Sequence, residues 1–215
     1  MKIAIIGATG FVGENIVKEA VSRGLDVTAM ARNIDKLNID NVKKISVDVY
    51  DKEALAETLK GFDVVLSAFN SGWTNPNIYD DFMKGSRNIQ DAVKIAGVKR
   101  LIVVGGAGSL YVDEKTQLID TDEFPEEFKL GASGARDYLN ELKSEKDLDW
   151  VFFSPAIEMN PTIKTGRTGK YRLGKDQPVF NENNQSILSV EDLAVVLLDE
   201  LENPKHHQER FTAAY

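Results

Sequence analysis

Apolar positions along this chain follow two rhythms that alternate from the first residues onward. The short runs "KIAIIG", "DVTAMA", "VKKISVDV", "DVVLSAF" and "KRLIVVGG" have the length and β-branched content of strands buried on both faces. Between them, apolar residues recur at helical spacing. Val12, Ile16, Val17 and Ala20 precede Gly24, a second segment covers about 52–60, and a third covers 78–96 with Ile89, Val93 and Ala96 on one side and Gly97 as its stop. Strands alternating with helices predict parallel pairing through right-handed crossovers, because parallel neighbours need a long connection. The expected fold class is α/β, a doubly wound parallel sheet.

After Gly106 the rhythm changes. Residues 107–132 read as an acidic loop, a helix is expected over 133–147, and "DWVFFSPA" reads as a sixth strand closed by a proline. The stretch 155–190 is rich in Gly, Pro and basic residues and predicts a small, loop-rich elaboration on the substrate side. A last helix starts at Ser189, an N-cap with Asp192 three residues on, and Pro204 closes it. The final run "ERFTAAY" predicts a short strand at the sheet edge. No repeat, low-complexity tract or linker divides the chain, so residues 1–215 are expected to form a single domain.

Composition narrows the partners. With 34 acidic against 26 basic residues, the formal net charge is −8, which speaks against a sequence-independent grip on nucleic acid or an anionic membrane surface. A small molecule is the expected partner. The chain has no cysteine, so thiolate chemistry and cysteine-ligated metals are excluded. Ile3 to Ile6 is too short for a signal-peptide core and no apolar run reaches membrane-spanning length. The expected compartment is the cytoplasm.

The sharpest chemical signal is "GATGFVG". Gly7 follows a predicted strand, Gly10 and Gly13 lead into a helix, and a second strand arrives at βαβ spacing, which is the context that makes this pattern a dinucleotide fingerprint. Gly7 permits the turn, Gly10 lets backbone approach a pyrophosphate, and Gly13 lets helix and strand pack. Thr9 and the amides of Phe11 and Val12 are then nearest the phosphate, at the positive end of the helix.

The end of the second strand bears on which dinucleotide is bound. A site for NAD usually places a carboxylate there, about twenty residues beyond the glycines. This chain reads "MARN": Ala31 offers nothing, whereas Arg32 offers a guanidinium suited to the 2′-phosphate of NADPH. NADPH is the expected cofactor in preference to NADH, the alternative being an arginine that only solvates the strand end. Asp48 and Val49 after the third strand are placed to frame the adenine, though Asp48 also reads as an N-cap. Ser67, Ala68 and Phe69 after the fourth are placed along the ribose.

The motifs "GATGFVG", "ARN", "VVGGAGSL", "FFSPA" and "YRLGKDQPVF", followed by "SILSVEDLAVVLLDELENPKHHQERFTAAY", together resemble an atypical branch of the short-chain dehydrogenase/reductase superfamily. Its members are described as NAD(P)H-flavin reductases, and the chain is similar to biliverdin reductase B and the NmrA-like proteins. The resemblance implies a Rossmann-type NAD(P)-binding fold with a small C-terminal elaboration. It also implies contacts near the nicotinamide from Gly106 and from Ser154, Pro155 and Ala156, and a role for Ser109 in hydrogen-bonding the acceptor or the nicotinamide amide. The bland alternative for Ser109 is a hydroxyl that caps a turn.

The superfamily's acid–base chemistry uses a tyrosine and a lysine four residues later on one helix. Here the helix reads "RDYLNELK", so Tyr138 is followed at that spacing by Leu142, and Lys143 lies one position late, about 100° around the helix. Tyr111 with Lys115 and Tyr171 with Lys175 match the spacing but read as chance. Hydride transfer to a flavin needs no enzyme phenol. The function expected is therefore an NADPH-dependent oxidoreductase reducing FMN or a similar planar acceptor. The alternatives are a non-catalytic NADP-binding sensor and a sugar-nucleotide epimerase or reductase. His206 and His207, the only histidines, read as surface imidazoles, and no metal is expected. "KTGRTGKYR" reads as contact with an anionic acceptor or as a surface turn, and Trp73 as packing on the domain or stacking on an acceptor.

Overall fold

A computed structural model describes all 215 residues. The strands are β1 (Lys2–Ile6), β2 (Asp26–Ala31), β3 (Lys43–Ser46), β4 (Val64–Ser67), β5 (Arg100–Val104), β6 (Asp149–Ser154), β7 (Arg172–Gly174) and β8 (Glu209–Ala214). The helices are α1 (Phe11–Ser22), α2 (Lys52–Thr58), α3 (Ile78–Ile95), α4 (Glu126–Leu142) and α5 (Val190–Glu202). All eight strands join one sheet in the order β3-β2-β1-β4-β5-β6-β8-β7, parallel throughout except for β7 against β8. The order reverses between β1 and β4, and in such sheets the crevice for a ligand opens at the carboxyl ends of the strands beside that reversal.

Period-2 alternation divides the core between the two faces of the sheet. Ile3 and Ile5 point to the layer containing α1 and α5, while Ala4 and Ile6 point to the layer containing α2, α3 and α4. The sheet is thus covered on both sides, which explains why its central strands read as unbroken apolar runs. Helix ends follow from glycines: after α1 the Gly24 amide donates to the Val21 carbonyl at 3.0 Å and Leu25 to Ala20 at 3.1 Å, with Gly24 at φ +68°. Gly97 ends α3 in the same way. At α5, Ser189 Oγ accepts from the Asp192 amide at 3.1 Å, the cap its sequence predicts.

Several expectations are corrected. The helix expected over 133–147 spans Glu126–Leu142, because Glu126 and Glu127 suit a helix N-terminus better than a loop. The expected loop 107–132 is therefore shorter and contains single 3₁₀ turns at Ala107–Ser109 and Leu118–Asp120. The final strand, β8, is not at the edge: β7 pairs outside it, drawn from the stretch 155–190. Asp51, not Asp48, caps α2, accepting from the Ala54 amide at 3.0 Å.

The histidines are also more deeply engaged than surface imidazoles. His206 stacks on Phe211 with ring centroids 4.2 Å apart and bonds Glu200 at 2.7 Å, while the exposed His207 bonds Asp149 at 2.9 Å. Arg100 bridges both carboxylates, so the five side chains close the amino-terminal edge of β5 and β6.

Candidate functional site

In the turn after β1, Gly7 and Gly13 occupy positions that leave no room for a side chain. Gly7 sits at φ +80°, and a Cβ there would meet the Ala68 carbonyl oxygen at 2.6 Å; a Cβ on Gly13 would meet the Gly7 oxygen at 2.1 Å. Gly10 differs, since its Cβ would meet only the Gly7 oxygen, at 3.3 Å. Its open side faces no protein atom, which is what close approach of a ligand to backbone requires. The amides of Gly7 and Ala8 donate to the Met30 carbonyl and that of Gly10 to Gly7, but those of Thr9, Phe11, Val12 and Gly13 have no hydrogen-bond partner within the protein. Four free N–H groups at a helix N-terminus fit a pyrophosphate by charge and by geometry.

Beside this turn lies a cleft of about 350 Å³, lined among others by Gly7, Thr9, Arg32, Asp48, Val49 and Phe69. Six residues predicted from sequence therefore meet there. Neither Arg32 nor Lys36, which also lines the cleft, has a carboxylate partner. Asp48 lines the same cleft, and its Oδ1 accepts from the Tyr50 amide at 3.0 Å. Phe69 stacks on Phe82 at 6.0 Å and meets the edge of Tyr50 at 6.2 Å. Burial raises the Tyr50 phenol above its ordinary pKa, with the nearby Asp81 carboxylate adding to the effect. Ser67 is buried beneath this wall and accepts from the Phe69 amide at 3.4 Å, while Ala68 is half-buried against Gly7.

The residues expected near the nicotinamide form a second group at the ends of β5 and β6. Gly105 and Gly106 permit close packing: a Cβ on Gly105 would strike the Phe152 ring at 1.9 Å, and one on Gly106 would touch Ala135 of α4 at 3.4 Å. Ser109, 1% exposed, lies 3.4 Å from Ser154 Oγ, and Ser154, Pro155 and Ala156 are all buried. The guanidinium of Arg210 donates to the Ser109 carbonyl at 2.7 Å and to its hydroxyl at 3.2 Å, and is itself anchored by Asp176 at 2.6 Å. Ser109 is thus a fixed, internally bonded hydroxyl. Sequence reading passed over Arg210, although a cation inside the apolar run of β8 was a signal that something buried needed it.

Tyr138, also 1% exposed, packs in the core with its ring edge-on to Phe82, and burial raises its phenol well above the ordinary range. Tyr171 bonds Asp199 while Lys175 bonds Glu209, so that pair does not act together. The basic stretch 164–172 lies elsewhere: Arg167 grips Glu19 of α1 with bonds of 2.7 and 2.8 Å, and the Thr168 and Gly169 amides donate to the fully buried Asp192 of α5. It is a clasp across two helices.

Comparison with known proteins agrees with this geometry. The model of a family described as NAD(P)H-binding matches residues 7–204. The uncharacterized protein YwnB of Bacillus subtilis is 42% identical over 214 residues, covering 99% of this chain and 97% of that protein. A solved structure from Bacteroides thetaiotaomicron, named as a candidate epimerase, is 47% identical with a TM-score of 0.91, covering 100% of this chain and 96% of that one. Another, from Streptococcus pneumoniae and named as a candidate NADH-flavin reductase, is 40% identical with a TM-score of 0.88, covering 100% and 99%. No helix here is long and apolar enough to cross a membrane. By its glycine turn, its free amides and its match over most of its length, the chain belongs to the NAD(P)H-binding family and carries that family's Rossmann-type fold.

Proposed function

We propose that the protein is an NADPH-dependent oxidoreductase that reduces a planar acceptor such as a flavin, acting mainly by holding donor and acceptor rings together. The observation that carries this reading is the pair of unpartnered cations, Arg32 and Lys36, beside the glycine turn. Bound NADPH would supply a hydride, which with one proton from solvent converts an oxidised flavin to its two-electron-reduced form and leaves NADP⁺. The chain's own part is to fix the phosphates on the amides of Thr9, Phe11, Val12 and Gly13, and the 2′-phosphate on Arg32 with Lys36. Asp48 and Val49 would frame the adenine, with Ser67, Ala68 and Phe69 along the ribose. Gly106, Ser109, Ser154, Pro155 and Ala156 would form the tightly packed floor beneath the nicotinamide. Ser109 is then a positioning residue, because its hydroxyl is already held by Arg210. We take the compartment to be the cytoplasm, in keeping with a chain without cysteine.

One observation favours a second reading. The burial of Ser109 and Tyr138 leaves no predicted proton donor facing solvent, as expected of a sensor that binds NADP without turnover. It also weighs against epimerase chemistry, which needs an acid–base group at the sugar. The deciding experiment is NADPH oxidation with and without riboflavin or FMN, with NADH and an Arg32→Ala variant as controls. Acceptor-dependent turnover should favour NADPH, and the variant should lose about ten- to a hundredfold of that preference, the worth of one charge-assisted hydrogen bond. Tight NADPH binding with no turnover on any acceptor refutes the reductase and supports the sensor.

A further inference from the structure

The loop from β4 to α3 lines the cofactor cleft with Phe69, Asn70, Ser71 and Asn75. Trp73 belongs to the same loop but stands outside that lining, 60% exposed. The loop is held by its own bonds. The Gly72 amide donates to Asn70 Oδ1 at 2.7 Å, Ser71 Oγ to the Ile78 carbonyl at 2.9 Å, and Asn75 Nδ2 to Asp81 Oδ2 at 2.7 Å. The indole is fixed as well. Phe128 of α4 stands edge-on to it at 5.5 Å and 79°, and Gly131 lacks the Cβ that would meet the ring at 2.8 Å. A helix that gives up a side chain to seat an indole, yet leaves most of that indole in water, presents a rigid aromatic surface at the carboxyl edge of the sheet.

Phe128 follows directly on an acidic run. Residues 120–127 carry Asp120, Asp122, Glu123, Glu126 and Glu127 and no cation. The next two cations on α4 are already paired, Lys129 with Glu126 at 2.8 Å and Arg136 with Asp120 at 2.9 Å. The cofactor cleft differs in holding two cations without a carboxylate partner, Arg32 and Lys36, alongside Asp48 and Asp81. In the other basic stretch, Arg167 is already paired with Glu19.

We propose that Trp73, backed by Phe128, is the stacking platform for the acceptor ring, and that the acidic flank selects an uncharged planar ring, such as riboflavin, over a phosphorylated one, such as FMN. This rests on the oxidoreductase reading for the word acceptor, but the binding claim stands apart from turnover. Stacking on an open indole is sequence-tolerant and ring-general, whereas a phosphate dianion beside an acidic run whose Asp122, Glu123 and Glu127 have no ion-pair partner is repelled within a Debye length.

The test is equilibrium binding of riboflavin and of FMN, read by quenching of their own fluorescence, with and without NADP⁺, on the native protein and on Trp73→Ala and Trp73→Phe. Thermal melts confirm that both variants fold. At low salt riboflavin should bind about tenfold tighter than FMN, and the gap should narrow to about twofold near 0.5 M salt. Trp73→Ala should weaken riboflavin about tenfold, with Trp73→Phe in between. FMN binding as tightly as riboflavin, or a Trp73→Ala variant with unchanged riboflavin affinity, overturns the proposal. So does self-association that Trp73→Ala abolishes without touching riboflavin binding, which would make the patch an interface between copies. Binding as expected without NADPH oxidation refutes the reductase and leaves the platform standing; turnover unaffected by Trp73→Ala does the reverse.

Discussion

Gly85 stands mid-helix in α3, where glycine costs about 1 kcal/mol relative to alanine. Its reason is Phe69: a Cβ at Gly85 would meet ring carbons of Phe69 at 2.4 and 2.5 Å, whereas carbon atoms pack at about 3.5–4.0 Å. In Gly85→Ala the ring must retreat by more than about 1 Å. Phe82 stacks on one side of it and Tyr50 stands at its edge, so the open direction is the cofactor cleft that Phe69 lines. The helix gains about 1 kcal/mol and overpacking costs about 1–3 kcal/mol, so the free protein should lose only about 0–2 kcal/mol. Cofactor binding should suffer more, with Kd for NADPH rising about tenfold. In thermal melts at a concentration near 100 times the native Kd, NADPH should stabilise the native protein by about 2.7 kcal/mol and the variant by about half of that. Adding Phe69→Leu should remove the clash and restore the stability of the free protein. A variant stabilised by about 1 kcal/mol that keeps the full NADPH response would refute the argument that Gly85 sets the cleft wall.

Two further predictions separate structural charge from functional charge. Burial alone would raise the pKa of Glu145, but the Asp147 amide, the Lys94 ammonium and the Gln90 amide outweigh it and hold the carboxyl at about 2. A carboxyl depressed on folding contributes stability that is present above its unfolded pKa and lost as pH falls through the folded one; urea midpoints should therefore fall between about pH 5 and 2 by an amount worth roughly 2 kcal/mol, and less in Glu145→Gln. An equal fall in the variant would assign the acid sensitivity to other groups. Arg167→Ala should lower the urea midpoint only modestly, since Glu19 is buried but keeps its 2.8 Å bond to Arg23. KM for any acceptor should not change; a raised KM with unaltered stability would return the 164–172 stretch to the acceptor site.

The sheet was legible because both faces are covered, which makes each central strand an apolar run and each crossover an amphipathic helix. The glycine turn was legible for a related reason: Gly7 and Gly13 are demanded by backbone atoms only 2.6 and 2.1 Å from where a Cβ would be. The second half of the chain was harder, because there polar residues perform internal tasks. The basic stretch reads like a ligand contact, yet Arg167 answers a glutamate 148 positions away, and no local pattern encodes such a pairing. The start of α4 was obscured by acidic residues that suit both a loop and a helix N-terminus. Ser109 was placed correctly at the end of β5, but its partner Arg210 comes from β8, 101 residues on.

The distribution of unmet polar capacity points to the carboxyl edge of the sheet as the working side. At the amino edge Arg100, Asp149, Glu200 and His206 answer one another, and the clasp on Glu19 and Asp192 does the same between α1 and α5. A buried charge must find a partner on folding, so these networks are what the fold requires for itself. At the carboxyl edge the pattern is reversed: four amides of the glycine turn, the guanidinium of Arg32 and the ammonium of Lys36 have no protein partner, and the indole of Trp73 is left largely in water. Free donors and cations in the cleft, and an aromatic face outside it whose partner Phe128 follows an acidic run, suit a polyanionic donor meeting an uncharged ring. A protein that bound two anions side by side would need unpaired cations at both places; in the acidic run Lys129 and Arg136 are spent on Glu126 and Asp120, and the cleft holds Arg32 and Lys36 where a dinucleotide phosphate would sit.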